Sequence, residues 1–197
     1  MLISYLPYQD LWVVIILWSL YYYGDYCFTV FNSKNYPPVL GRHFVHKGSF
    51  EIDTRLQDDI DNGRWFSLAF LRSWIITCMG FLMFWWLSGL GNFPQLFQWY
   101  SGLLFLLFGV SYLRHFRNFS SYKFYNKGDI IGKVEYTESY DLTQSAWELI
   151  GFSLFYLLIS VILGSWFFFG GFVSSIFLAT NHRKMAKKAS ANKKILT

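Results

Sequence analysis

Two charged side chains stand inside otherwise apolar stretches, and they are the first candidates for chemistry. Asp25 interrupts the run 11–31, and Arg72 interrupts the run 65–87. Each lies roughly 10 Å of helix, at about 1.5 Å per residue, from the end of its run that leads into a charged loop. A charge at that depth is costly, and such charges usually face the bundle and pair. Opposite sign and equal depth therefore point to an Asp25–Arg72 ion pair between the first two spans. Such a pair locks two helices together or, where it titrates, relays a proton or an ion. Tyr21, Tyr22, Tyr23 and Tyr26 flank Asp25 with hydroxyls that can donate to it.

Imidazoles are the next candidates. The chain has 4 histidines, His43, His46, His115 and His182. Neutral imidazole ligates zinc, iron and haem, and Glu51 and Asp53 follow His43 and His46 closely. A metal or haem site would use these four histidines, but they lack the dense pairing that a metal-dependent membrane oxygenase needs, and no cofactor is expected. The acidic stretch Asp58–Gly63 has a glycine where a calcium loop wants one. The twelfth position, which should hold a glutamate, is Ala69, so it reads as a solvated helix end. Cys27 and Cys78 lie in apolar surroundings, where thiols act as small hydrophobes rather than as a disulfide. The segment Gly164–Gly171, with aromatics between glycines, reads as a tight turn followed by close helix packing; its sharper alternative is a lipid or quinone contact.

The elements that must position these groups are set by composition. Hydrophobic residues make up 54% and aromatics 23% of the 197 residues. Charged residues are 15%, against about 25% in soluble domains. That excludes a disordered chain and a disulfide scaffold, and it calls for a bilayer as solvent. A spanning helix needs about 20 apolar residues. The runs 11–31, 65–87 and 96–113 qualify, with a Gly/Pro-rich turn at 88–94 joining the last two. The run 146–180 is roughly 50 Å long as a single helix at about 1.5 Å per residue, too long for a bilayer core of about 30 Å. It splits at Gly164-Ser165 into 146–163 and 166–180.

Charge chooses between the alternatives. Apart from Arg72, lysines and arginines fall in the loops 32–64 and 114–145 and in the tail 181–197; the N-terminus and the 88–94 turn have none. Basic residues beside spans stay cytoplasmic. Five spans, with the N-terminus outside and the C-terminus inside, put every basic segment on the cytoplasmic side; four spans, with 146–180 as one long helix, would not. The expected fold is thus an all-α polytopic protein forming a single membrane domain, integral to the membrane, the plasma (inner) membrane if the chain is prokaryotic. In the first loop, Ile52, Leu56 and Ile60 make an apolar stripe on a short helix. In the second, 122–125 and 130–136 read as a small hairpin about a Gly-bearing turn. Ser145 and Glu148 fit a capping box opening the fourth span.

The tail residues Arg183, Lys184, Lys187, Lys188, Lys193 and Lys194 should contact anionic lipid headgroups, at about 1 kcal/mol each. The partners expected are membrane lipids and a protein partner or a second copy of the chain, with no nucleic acid. With no catalytic motif, the leading functional expectation is a non-catalytic accessory, assembly or interaction subunit. The alternative is a small oligomeric transporter or channel working through Asp25 and Arg72. A third is a membrane enzyme with a cytoplasmic-face site of histidines and acids.

Overall fold

The structure, a computed structural model, describes residues 10–40, 54–127 and 138–195. They form six helices: α1 Leu11–Leu40, α2 Thr54–Asp61, α3 Leu68–Leu90, α4 Pro94–Lys127, α5 Glu138–Leu163 and α6 Trp166–Ile195. Four segments are long and apolar enough to cross a membrane: Leu11–Asn35, Leu68–Leu90, Pro94–Arg117 and Ser139–Leu163. Each of the helices α1, α3 and α5 carries one exposed apolar stripe at helical spacing. These run through Trp12, Ile16 and Leu20 on α1, Ile75, Met79 and Met83 on α3, and Leu154, Leu158 and Ile162 on α5. Side chains of this kind, exposed along whole helices, need hydrocarbon rather than water against them.

The helices sort into two compact units. The first holds 11–40, 54–82 and 111–127. Its core joins Tyr26 and Val30 of α1, Ile60 of α2 and Phe70 of α3. The α1–α3 contact exchanges two indole bonds, Trp18 Nε1–H to Thr77 Oγ1 at 2.8 Å and Trp74 Nε1–H to Ser19 Oγ at 3.0 Å. Trp18 is fully buried and meets Phe81 edge-on at 5.8 Å. An indole buries well only when its N–H finds an acceptor, so Thr77 and Ser19 let the buried Trp18 and the half-buried Trp74 sit inside apolar spans. Ser67 caps α3, its hydroxyl accepting from Phe70 N–H at 3.0 Å. That cap starts α3 at Leu68 rather than at the expected residue 65.

The second unit holds 83–110 and 138–195. Here 146–180 is broken as the glycine suggested. Gly164 adopts φ +60°, the left-handed conformation that ends α5, and Ser165 N–H closes on Ser160 C=O at 3.1 Å. This is the Schellman arrangement, which glycine enters without the Cβ penalty. The chain then reverses, so α6 packs antiparallel on α5: Tyr156 lies 6.4 Å from Phe168, and Ser145 is level with His182. Ala146, Leu149, Tyr156, Ala179 and Val110 form the core of this unit.

Three local expectations are corrected. The first arm of the expected hairpin, 122–125, lies within α4, and no strand occurs among the described residues; its second arm, 130–136, lies outside them. An isolated hairpin is marginal in water, whereas continuing an existing helix adds a bond per residue without a new nucleus. Ser145 is not an N-cap, because α5 begins at Glu138; its hydroxyl instead meets His182. The first helix does not end with the apolar run at residue 31: α1 continues through Pro37 and Pro38 to Leu40, and the turn before the prolines is pinned by Ser33, whose hydroxyl reaches Ile60 C=O at 3.1 Å. The expected short helix is α2, with Ile60 buried and Leu56 packed beside it; Ile52 lies outside the described residues.

Candidate functional site

Asp25, Thr29 and Asn32 are spaced i, i+4 and i+7 along α1. That spacing puts all three on one face of the helix. Across from them in the same unit stand Tyr112 and His115 of α4, three residues apart. Asp25 Oδ1 lies 3.0 Å from His115 Nε2. Thr29 donates its hydroxyl to Asp25 C=O at 3.0 Å, and its oxygen faces the same Nε2 at 3.5 Å. Asn32 Nδ2 lies 3.0 Å from His115 Nδ1. The side chains of His115 and Asp25 are 12% and 18% exposed, which leaves the couple desolvated yet reachable.

These contacts suit the neutral tautomer with its hydrogen on Nε2: the oxygens of Asp25 and Thr29 both serve as acceptors there, since the Thr29 proton is committed to the Asp25 carbonyl, and Nδ1 then accepts from the Asn32 amide. A carboxylate that fixes the tautomer of a histidine in this way also stabilises the cation formed when a second proton arrives.

Aromatic rings close the site. Phe28 stacks on the imidazole at 5.8 Å and meets Tyr112 edge-on at 5.8 Å. Tyr112 stacks on Tyr21 at 4.5 Å and donates its hydroxyl to Tyr21 C=O at 2.8 Å. Gly24 makes this approach possible, because a Cβ there would coincide with the Tyr112 hydroxyl. The tyrosines flanking Asp25 have other work: Tyr26 donates to Arg64 C=O at 2.8 Å, and Tyr22 stacks on Phe70 at 5.0 Å.

The ion partner drawn at Asp25 is thus His115. Arg72 stands exposed in the first turns of α3, on the same side as Ile75, Ile76 and Met79. So close to a helix end, a long guanidinium side chain reaches the headgroup region by snorkelling. No described contact brings Asp25 and Arg72 together. His182 is buried in the other unit, its Nδ1 at 2.7 Å from Ser145 Oγ, while His43 and His46 lie outside the described residues. Among the described residues no group of three or more His, Cys, Asp or Glu is placed to hold a metal ion. Cys27 and Cys78 are free.

The remaining sequence candidates sit at helix ends. At the end of α2, Gly63 takes φ +64° and Asp59 pairs with Arg64 at 2.8 Å, an ordinary helix terminus. On α6, Arg183 stacks over Trp147 at 4.7 Å, and Lys184, Lys187 and Lys188 are exposed; Lys193 and Lys194 belong to the last turns of that helix. Thr29, Asn32 and Tyr112 escaped the sequence reading, although a polar i, i+4, i+7 row in an apolar span was the signal for the first two. Comparison of the chain with protein-family models, with curated proteins and with solved structures finds no match.

Proposed function

We propose that this protein is a small membrane transporter whose Asp25–His115 couple binds and releases a proton, in place of the accessory role that composition alone favours. The observation that carries this reading is a titratable Asp–His pair, joined at 3.0 Å between two apolar helices and still slightly exposed. Ionisable residues inside spans are expensive, and they mark proton and ion pathways more often than they serve packing. Histidine changes charge near neutral pH, unlike the arginine first expected opposite Asp25. The proton adds to the Nδ1 lone pair of His115 and leaves from the same atom, while the Asp25 carboxylate balances the charge. Purified protein in vesicles of phosphatidylethanolamine and phosphatidylglycerol, loaded with the pH dye pyranine, should acidify under a valinomycin-clamped potassium potential. Asp25→Asn should reduce that flux at least about tenfold, the order contributed by one positioned proton-transfer group. Wild-type flux equal to that of empty vesicles would return the accessory, assembly or interaction subunit to first place.

The proposed topology has five spans, N-terminus outside and C-terminus cytoplasmic. α6 has only the short apolar segment Trp166–Thr180 before Asn181, His182 and Arg183. It returns along α5, however, so whatever depth α5 crosses α6 crosses back. The basic end of α6 then meets anionic headgroups on the cytoplasmic side, with Trp147 under Arg183 at that interface. A reporter enzyme fused after Thr197 should be active only in its cytoplasmic form, and one inserted at Gly91 only in its external form. Activity of the Thr197 fusion on the outside would remove the fifth span.

A further inference from the structure

We infer that Asn32 is the positioning residue through which proton occupancy of His115 is passed to α1, by rotation of its side-chain amide. The inference rests on the proton-binding reading above and adds the group that registers the proton. Asn32 is 5% exposed, and its Oδ1 is buried without a hydrogen-bond partner among the described residues. Its Nδ2 faces His115 Nδ1 at 3.0 Å. A buried amide oxygen left unsatisfied costs about 1–3 kcal/mol. The carboxamide has nearly the same shape when its oxygen and nitrogen are exchanged. With neutral His115, the amide must present N–H to the Nδ1 lone pair, and the oxygen is orphaned. Once Nδ1 takes a proton, the same contact needs an acceptor. A half-turn of the amide then puts Oδ1 on Nδ1–H and frees Nδ2 in the place where Oδ1 had been. Proton binding therefore pairs the orphaned oxygen, leaves the amide nitrogen unpaired in its place and reverses the polarity of the α1–α4 contact at Asn32.

The other side of the imidazole does not change during this exchange. Nε2–H stays on Asp25 Oδ1 with Thr29 behind it, and Phe28 and Tyr112 hold the ring plane. Of the other ionisable groups, Arg114 and Arg117 flank His115 along α4, and Cys27 of α1 acts electrostatically, with Asp25, on Tyr112. Asn32 is the one described side chain bonded to Nδ1, the nitrogen that gains the proton.

Asn32→Asp and Asn32→Leu separate this from a merely structural role. The 197-residue chain is placed in nanodiscs with 15N-labelled histidine, and the ring nitrogens of His115 are identified by their loss in His115→Gln. Their shifts report which nitrogen carries hydrogen, from about pH 5 to about pH 9, the range over which histidine changes charge. Wild type should show hydrogen on Nε2 alone at the alkaline end and on both nitrogens at the acid end. Asn32→Asp, which offers Nδ1–H a fixed acceptor, should raise the ratio of doubly to singly protonated ring about tenfold or more at a given pH. Asn32→Leu, which offers none, should lower it by a similar factor, the worth of one hydrogen bond to a charged donor. Should Asn32→Asp not fold, the Asn32→Leu result decides. Unchanged ratios in the variants that fold would overturn the role of Asn32 while leaving the proton site standing. A wild-type His115 that never takes a second proton would overturn both. Shifted ratios beside vesicles without flux would keep the switch and remove the transporter.

Discussion

His115→Leu should destabilise the protein by about 3 kcal/mol, more than any other single truncation at the α1–α4 contact. Leucine leaves the Asp25 carboxylate in a desolvated place without its partner. Breaking a buried ion pair from one side costs about 3–5 kcal/mol in soluble proteins. The lower end applies, because the Asp25 side chain is 18% exposed and can recruit water or a proton. The reciprocal changes should be milder. Asp25→Leu strands a neutral Nε2–H, at about 1–3 kcal/mol. Asp25→Asn keeps an acceptor on the same nitrogen and replaces a charge-assisted bond by a neutral one, at about 1 kcal/mol. Denaturant titration of the purified protein in detergent should return that order. Equal losses for all three would mean that the couple is hydrated and that its charge is not buried. Because Asp25→Asn keeps the fold, any loss of proton flux in that variant reads the charge rather than the packing.

The second large effect belongs to the α5–α6 unit. Gly170→Val should cost about 3 kcal/mol or more. A Cβ at Gly170 would coincide with the carbonyl oxygen of Trp99 and sit 2.7 Å from Leu103 N; a Cβ at Gly102 would coincide with the carbonyl of Phe167. The two glycines thus face each other's helix reciprocally, backbone on backbone, with no side chain between. A backbone atom cannot rotate aside, so valine must push α4 and α6 apart. Overpacking of this kind costs about 1–3 kcal/mol where side chains can yield, and here they cannot. In hydrocarbon the contact is held by close packing rather than by exclusion of water, so separation removes its source of attraction. Gly151→Ala is the matched control. Nothing lies within 4 Å of a Cβ there, so alanine should be neutral or should stabilise α5 by about 0.5–1 kcal/mol. A Gly170→Val protein as stable as wild type would show that the α4–α6 crossing is looser than described.

Local signals were legible where they act through neighbours in the chain. Gly164 ends α5 because it alone enters the left-handed conformation cheaply, and that position could be read without any tertiary information. The same holds for the α3–α4 turn, where Asn92 takes φ 54° and Pro94 opens the next helix. Ile60 and Leu56 were legible as a buried stripe because their spacing matches the helical period. Where local propensity was weak, the reading went astray. Three of the residues 122–125 are β-prone aromatics, yet the segment extends a helix already nucleated by the apolar run before it. Ser145 has cap chemistry, yet α5 begins seven residues earlier and the hydroxyl serves His182 instead.

Charge sign and depth drew attention to Asp25, since those quantities depend on position along one helix. The partner was not legible in the same terms. Which face of α1 meets which face of α3 or α4 depends on rotation about the helix axis, and mostly apolar spans carry little periodic signal to fix it. The rotation is settled by shape. The indole bonds of Trp18 and Trp74 commit one face of α1 to α3, and Gly24 opens the other to Tyr112. Asp25, Thr29 and Asn32 are thereby carried towards His115, while Arg72 stays on the exposed side of α3. The sequence by itself pointed to helices apolar enough for a bilayer, to the break at Gly164 and to Asp25 as a charge costly to bury, because burial cost and backbone freedom are local quantities. Only the tertiary structure decided that a titratable imidazole provides the compensation, because helix facing is settled by the packing of side chains far apart in the chain.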